Sequence, residues 1–235
     1  MKKFRAFIAL DSKTNHENLK VVKKLHPYVY GFKVGYRSFY NFNSDKLIKE
    51  IKKYKSKLFL DLKLHDIPNT VGSALESLSK INPDYLTIHI SGGSTMMKYA
   101  LSTIKQKKMK TKLLGVTLLT SLDSKDSRNI YNEHDTAKLV KKLASLAKKS
   151  EINGIICSGS DLSEIKRFKS LLKITPGVKM FNRKDDQKRV TYVHDALNLG
   201  ADFVVIGREL INSKDPKSML QKYYEKYQNQ NLWTN

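Results

Sequence analysis

The chain has 235 residues, of which 40% are hydrophobic and 28% charged, so it can bury a sizeable core and is not a disordered protein. Its 44 Lys and Arg residues against 22 Asp and Glu residues give a formal net charge of +22, an ordinary sign of nucleic-acid binding. A single cysteine excludes an intrachain disulfide and a zinc site built from several thiolates.

The first residues, MKKFRAFIALDSK, have the basic start of a signal peptide, but the apolar run is short and ends at Asp11 without a small-residue cleavage site. They are better explained as a first strand. No segment approaches the length of a membrane span, so a soluble cytoplasmic protein without a membrane partner is expected.

Short apolar runs alternate with amphipathic stretches along the whole chain. The runs predict eight strands, at Phe4–Leu10, Tyr30–Val34, Lys57–Lys63, Tyr85–Ile90, Lys112–Leu118, Gly154–Cys157, Lys173–Thr175 and Phe203–Ile206. The stretches predict helices at Asn15–Leu25, Ser44–Tyr54, Thr70–Ile81, Thr95–Lys105, Asp135–Ser150, Leu162–Leu172, Tyr192–Leu199 and Asp215–Tyr227. Eight strand-then-helix units in this length favour an α/β fold, a single-domain (β/α)8 TIM barrel over residues 1–235, rather than a doubly wound sheet.

Two interpretations of the positive charge remain, a nucleic-acid surface and a lysine-rich composition spread over solvated helix faces. The lysines recur in several separate predicted helices and form no single patch interleaved with aromatic residues. The second interpretation is favoured, so no nucleic-acid partner is predicted. The positive field should still attract an anionic small substrate.

Two connections are longer than a minimal turn, 122–134 after the fifth strand and 176–188 after the seventh. Loops that follow the strands of a barrel lie on its catalytic face, so both are candidate lids. Tolerated surface insertion is an equally good explanation of the first loop and a weaker one of the second.

The stretch DLKLHDIPNT, which begins at Asp61, is the most informative part of the chain. Side chains alternate along a strand, so Leu60, Leu62 and Leu64 share one face while Asp61 and Lys63 share the other. Unpaired charge inside a barrel is costly. A structural ion pair between Asp61 and Lys63 is one explanation, but charged residues at the end of a strand favour a catalytic role.

Polar residues collect where strands end, either within the last residues of a strand or just after it, and in a barrel such positions converge on one pocket. They are Asp11, Lys33, Asp66, His89, Ser91, Thr120, Ser121, Gly207 and Arg208. Singly the signals are weak, since His89 is as well explained by a structural role and Thr120-Ser121 by a simple turn. Cys157 lies in an apolar strand and is predicted to be a packed core thiol.

The exit of the eighth strand predicts an anion site. Gly207 allows a backbone N–H to approach an anion closely, and Arg208 offers a bidentate fork. Barrels of this type often bind phosphate at the loops after strands seven and eight, and the run DDQKR from Asp185 adds the Gln187 amide and further cations. A phosphate ester is therefore the expected ligand.

These motifs, together with TIHISGG, LLTS, TPG and VVIGR in the same order, resemble the orotidine 5′-phosphate decarboxylase family in its bacterial form. The resemblance covers nearly the whole chain. It implies decarboxylation of orotidine 5′-phosphate to uridine 5′-phosphate (UMP) and CO2, the last step of de novo pyrimidine biosynthesis. It also implies catalysis without a metal or an organic cofactor.

The resemblance assigns roles by matching position. Lys63 is the general acid that protonates C6, Asp61 lies beside the departing carboxylate, and Lys33 and Asp66 complete an alternating row of charges. The remaining contacts that it implies are Asp11 and Lys33 to the ribose, Thr120 and Ser121 to the base, and Gln187, Gly207 and Arg208 to the phosphate. Where relatives usually carry a phosphate-binding arginine this chain has Lys179, and nearby Arg183 could replace it.

In the family, Asp66 and Thr70 reach the neighbouring subunit's site, which implies a homodimer. The spacing agrees, because Asp66 has the opposite parity to Asp61 and Lys63 and precedes Ile67-Pro68, where the chain is leaving the strand. A structural alternative is that Asn69 or Thr70 caps the next helix.

A related group of barrels, the keto-gulonate phosphate decarboxylases and hexulose phosphate synthases, shares the D-x-K-x-x-D pattern but uses magnesium. The IPNT continuation and the LLTS element favour the pyrimidine enzyme. Activity that survives a chelator distinguishes the two.

Overall fold

The structure is a computed structural model that describes residues 3–181, 191–227 and 232–234. Its eight strands are parallel and follow one another in chain order around a closed barrel, which confirms the predicted TIM-barrel fold. Every predicted strand is present with bounds that differ by at most two residues. The strands are β1 (Phe4–Ala9), β2 (Val29–Gly35), β3 (Lys57–Leu64), β4 (Tyr85–His89), β5 (Lys112–Val116), β6 (Gly154–Ile156), β7 (Leu172–Thr175) and β8 (Phe203–Ile206).

Most predicted helices are also present. The helices in the described ranges are α1 (Asn15–Leu25), α2 (Tyr36–Phe39), α3 (Ser44–Lys53), α4 (Pro68–Leu78), α5 (Gly93–Gln106), α6 (Ser124–Tyr131), α7 (Thr136–Lys149), α8 (Val193–Asn198), α9 (Arg208–Ile211) and α10 (Pro216–Tyr227). The helices α2, α6 and α9 were not predicted. Helix α6 occupies the connection 122–134 and is capped at its start by Asp123.

The predicted helix Leu162–Leu172 is wrong. A 3-10 helix at Gly159–Asp161 is followed by turns, and buried Leu162, Ile165, Phe168 and Leu171 recur every third residue. Backbone N–H groups of Phe168 and Leu171 donate to the carbonyls three residues before them, as in a 3-10 geometry. The buried Lys173 ammonium donates to the Phe168 and Leu171 carbonyls at 3.0 and 3.3 Å, which holds these turns against β7.

The lysines have a local structural role in several helices. Helices α1, α3, α5 and α7 each carry one or two lysines in the last turn, where a cation stabilises the negative end of the helix macrodipole. These side chains are distributed over separate helices, as the sequence indicated. None of the helices within the described ranges is long and apolar enough to cross a membrane.

The chain divides into two compact units. One consists of Met1–Asp61 and Pro176–Asn235 and the other of Leu62–Thr175. In the first, Phe7 of β1 meets Phe59 and Phe203 edge to face, with ring centroids 5.2 and 5.6 Å apart. Such pairs add to the free energy gained from burial. Its strands β1, β2, β3 and β8 are neighbours and parallel, so their carboxyl ends share one edge.

The second unit contains the neighbouring parallel strands β4, β5, β6 and β7. Its core is aliphatic, with Leu86, Ile88, Leu114 and Ile155 fully buried. Cys157 is buried beside Thr175, with Sγ 3.9 Å from Oγ1, so the prediction of a packed core thiol is confirmed.

Candidate active site

Three charged side chains meet at the carboxyl ends of β1, β2 and β3 in the first unit. The Lys33 ammonium lies 3.3 Å from Asp61 Oδ2 and 3.8 Å from Asp11 Oδ1. The Lys33 and Asp61 side chains are only 12% and 14% exposed, whereas that of Asp11 is 45% exposed. The sequence predicted all three, and the structure brings them into one cluster, called here the charge cluster.

The strand register produces the charge cluster. Lys33 of β2 is paired with Ala9 of β1 and with Phe59 of β3. Each of these partners lies two residues before one of the carboxylates, Asp11 or Asp61. Gly35 is paired with Asp61, and a Cβ added there would lie 3.2 Å from the Lys33 ammonium. The absence of a side chain at position 35 therefore leaves room for Lys33 to reach both carboxylates.

A buried polar network supports the Asp11 end of the cluster. Ser38 Oγ donates to the Leu10 carbonyl and accepts from the Asn18 amide at 2.9 Å, while Ser12 N–H donates to Asn18 Oδ1 at 3.2 Å. Asn15 donates to the Ser38 carbonyl at 2.9 Å. These bonds fix the backbone on both sides of Asp11, because every member of the network is buried or tied to the main chain.

Tyr36 extends the site beyond the predicted residues. It begins α2 directly after β2, and its ring is half exposed. Partial desolvation raises the pKa of Tyr36, and the nearby Asp61 carboxylate and Tyr40 raise it further. The phenol therefore stays neutral and keeps its proton as a donor at the rim of the site.

In the second unit, the backbone turns at Lys63. The alternation predicted for β3 holds up to Leu62, which is buried, but Lys63 has a φ of 42° and Leu64 is only half-buried. The Lys63 N–H donates to Thr87 Oγ1 at 2.9 Å. Lys63, which the family resemblance predicts to be the general acid, therefore has a backbone conformation that non-glycine residues seldom adopt.

Asp66 and Thr70 are both exposed on this chain. Asp66 Oδ1 accepts from Ile67 N–H at 2.6 Å, and Ile67, 65% exposed, precedes Pro68 at the start of α4. The alternative that Asn69 or Thr70 caps this helix is wrong, since Ile67 is the N-cap and no side chain caps it. Proline is favourable at the first helical position because an N–H group there would have no partner within the helix, so nothing is lost by its absence.

The exits of β4 and β5 also carry predicted residues. His89, half-buried, ends β4 and lies against His65, with ring centroids 5.1 Å apart. Thr120 and Ser121 are exposed in a turn beyond the end of β5, where Leu122 N–H donates to the Leu119 carbonyl. Thr120 and Ser121 therefore form a turn, as the simpler explanation predicted, and their side chains are exposed to solvent.

The predicted anion site lies in the first unit, after β8 and after residue 175. Gly207 precedes α9, and Arg208 is exposed at its first position. Gly177, directly after Pro176 in the segment that follows β7, has a φ of 73°, which glycine adopts without steric cost. Lys179 forms an isolated parallel β-bridge with Tyr192, just before α8.

Glu209 ties these two loops together. Its carboxylate accepts from the backbone N–H groups of Met180 at 2.8 Å and Phe181 at 3.4 Å. Gln187 and Arg183 lie outside the described residues, so their predicted phosphate contacts stay predictions. Among the residues that are described, no group of three His, Cys, Asp or Glu side chains is placed to bind a metal ion.

A closed parallel barrel with charged groups at the carboxyl ends of its strands is the architecture of a (β/α)8-barrel enzyme. A family model described as "Orotidine 5′-phosphate decarboxylase / HUMPS family" matches residues 5–223. The chain belongs to this family.

Curated relatives cover most of the chain. A Wolbachia pipientis protein named orotidine 5′-phosphate decarboxylase is 38% identical over 212 residues, 89% of this chain and 92% of its own. A Buchnera aphidicola protein of the same name is 37% identical over 94% of both chains. The crystal structure of orotidine 5′-phosphate decarboxylase from Lactobacillus acidophilus has a TM-score of 0.77 and 30% identity, covering 95% of this chain and 98% of that one.

Sequence reasoning missed the residues that support the site. Gly35, Ser38, Thr87 and Glu209 act through packing space or hydrogen bonds to the main chain, for which short motifs give little signal. Of these four residues, Thr87 could best have been found from the sequence, because it lies within the TIHISGG motif. A hydroxyl group at the middle of an otherwise apolar strand needs a buried partner.

Proposed function

We propose that this protein decarboxylates orotidine 5′-phosphate to UMP and CO2, the last step of de novo pyrimidine biosynthesis, without a metal or organic cofactor. The observation that carries the proposal is the half-buried charge cluster of Asp11, Lys33 and Asp61 in a chain of this family. The names of the curated relatives support the substrate.

The reaction requires strong stabilisation of negative charge. The bond from C6 to the carboxylate breaks, its electron pair stays on C6, and CO2 leaves. No ring orbital accepts that pair, so the enzyme must lower the barrier by an amount at the upper end of the usual range, on the order of 20 kcal/mol. A cation at C6 stabilises the developing charge and then supplies the proton.

Lys63 is proposed as that cation and general acid. Its ammonium gives a proton to C6 and is reprotonated from solvent. Asp61, two residues earlier on β3, lies beside the substrate carboxylate in this proposal and holds the neighbouring lysines in place by electrostatic attraction. Lys33 and Asp66 complete the alternating row, and Asp11 with Lys33 binds the ribose. The contact of Lys33 with two carboxylates supports its role as the centre of this row.

The phosphate is proposed to bind at Gly207 and Arg208, with Gln187 and a cation of the loop after β7, Lys179 or Arg183. Thr120 and Ser121 contact the base. Binding energy from the phosphate can be used to order the charges around C6, because it acts far from the reacting bond. The carboxylate of Glu209, which joins the two loops, supports a common anion site there.

A homodimer completes the proposed site, with Asp66 and Thr70 reaching the neighbouring subunit. Two observations support this. Both side chains are exposed on the single chain, and the large apolar Ile67 next to them is 65% exposed. Burial of such a residue at an interface is favourable.

Purified protein in buffer with a chelator tests the proposed reaction. The absorbance of orotidine 5′-phosphate should fall as UMP forms, and the rate should be unchanged by added magnesium. A rate that appears only with magnesium and with a keto sugar phosphate as substrate would instead identify the sugar-phosphate branch. The family description spans both the decarboxylase and HUMPS proteins, so this measurement is decisive.

A further inference from the structure

Lys63 differs from the other non-glycine residues with positive φ. In the described part of the chain, four such residues lie at the C-terminal ends of helices, where the left-handed conformation is common: Lys55, Lys108, Asn132 and Glu151. The other two, Asn43 and Asn82, are asparagines, which adopt this conformation more readily than most residues. Lys63 alone lies within a strand, with a φ of 42°. This conformation costs about 1–2 kcal/mol for a side chain with a Cβ atom, so other contacts must offset it.

Thr87 supplies one such contact. Its Oγ1 accepts from the Lys63 N–H at 2.9 Å across 24 residues of sequence. Thr87 is fully buried and Lys63 is half-buried, so without this acceptor the Lys63 N–H would lose a hydrogen bond that lies partly out of reach of water. Loss of a buried partner costs about 1–3 kcal/mol, which is comparable to the cost of the left-handed conformation.

The hydroxyl group is held in a rigid part of the second unit. Thr87 lies at the centre of β4 and is paired with Leu114 of β5. Its neighbours Leu86 and Ile88 are fully buried. Threonine is β-branched and has few χ1 rotamers available, so the position of Oγ1 is fixed by the strand.

We propose that Thr87 is a positioning residue that holds the Lys63 backbone in its left-handed conformation and thereby directs the Lys63 side chain. The proposal rests on the proposed function, in which Lys63 is the acid. Thr87 itself touches no reacting atom. If the backbone relaxes to an ordinary strand conformation, the direction of the lysine side chain changes. A displacement of about 1 Å at a reacting group can cost on the order of 100-fold in rate.

The test compares Thr87→Val, which removes the hydroxyl group at nearly constant shape, with Thr87→Ser, which retains it. Thr111→Val is the matched control, because Thr111 is also buried and donates to the Pro83 carbonyl at 2.6 Å, but lies before the start of β5. Thr87→Val should lower kcat about 100-fold with little change in KM. Thr87→Ser and Thr111→Val should stay within about threefold of the wild-type kcat.

A wild-type kcat in Thr87→Val, or an equal loss in Thr87→Ser, would overturn the positioning role. Hydrogen exchange of the Lys63 amide, measured without substrate, separates this result from failure of the proposed function. Faster exchange in Thr87→Val than in Thr87→Ser supports the positioning role even if the wild-type protein lacks the proposed activity. Equal exchange in the two variants overturns it.

Discussion

Replacement of Lys33 by methionine tests the energetics of the charge cluster. The substitution keeps an unbranched side chain, one atom shorter, and removes its charge. At 3.3 Å from Asp61 Oδ2, an effective dielectric constant of about 20 gives an attraction of about 5 kcal/mol. The second carboxylate, that of Asp11, is 45% exposed, so solvent screens most of its contribution.

The desolvation of Lys33 opposes this attraction, so the net loss of stability should be about 2–4 kcal/mol. Urea unfolding measures it. Lys57→Met, at the exposed start of the same strand β3, is the matched control and should change the free energy of unfolding by less than about 0.5 kcal/mol. The loss in Lys33→Met arises because the Asp61 carboxylate, only 14% exposed, loses a cation partner.

A double-mutant cycle with Asp61→Asn identifies the source of that loss. The double variant should be less destabilised than the sum of the two single variants, with a coupling of at least about 1 kcal/mol. A coupling near zero, or a Lys33→Met variant as stable as Lys57→Met, would refute the electrostatic reasoning.

The remaining predictions concern the proposed anion site and the half-buried carboxyl group of Asp161. Arg208→Ala should raise KM about 10- to 100-fold with little change in kcat, while exposed Arg167→Ala should leave KM unchanged. Glu209→Gln should raise KM about fivefold, because one amide oxygen replaces a carboxylate that receives two N–H groups; an unchanged KM would contradict this role. Burial raises the pKa of Asp161 despite its bonds from Ser158, so the folded state holds this proton more tightly than the unfolded state. The stabilising effect of this proton on the wild-type fold is lost as pH rises above about 4. Asparagine does not titrate, so the free energy of unfolding of Asp161→Asn minus that of the wild type should increase from pH 3 to pH 6, as measured by urea unfolding. A constant difference would contradict the shift.

The sequence was sufficient for the fold because its signals are local and repeated. Each strand is a short apolar run, and the bounds of all eight followed from that pattern. The one wrong helix has apolar residues every third position, at Leu162, Ile165, Phe168 and Leu171, a spacing close to a helical period but satisfied here by turns. The buried Lys173 that binds those turns lies in the next strand and gave no local signal.

The charged site residues were predictable for a different reason. Asp11 follows β1, and Lys33 and Asp61 lie in the carboxyl-terminal halves of β2 and β3; in a parallel barrel those positions meet. The left-handed turn at Lys63 could not be predicted, because alternation along β3 assumes an extended backbone throughout. The contact with Thr87 that accompanies this turn depends on the register between distant segments.

The proposed role of Lys63 is tested by the turnover of Lys63→Ala, measured beside that of Lys57→Ala, its matched control on the same strand. With general-acid and electrostatic contributions both removed, Lys63→Ala should lose about 10⁴-fold or more in kcat while still binding UMP. Lys57→Ala should keep the wild-type kcat. A Lys63→Ala variant that turns over orotidine 5′-phosphate within tenfold of wild type would show that Lys63 is not the general acid.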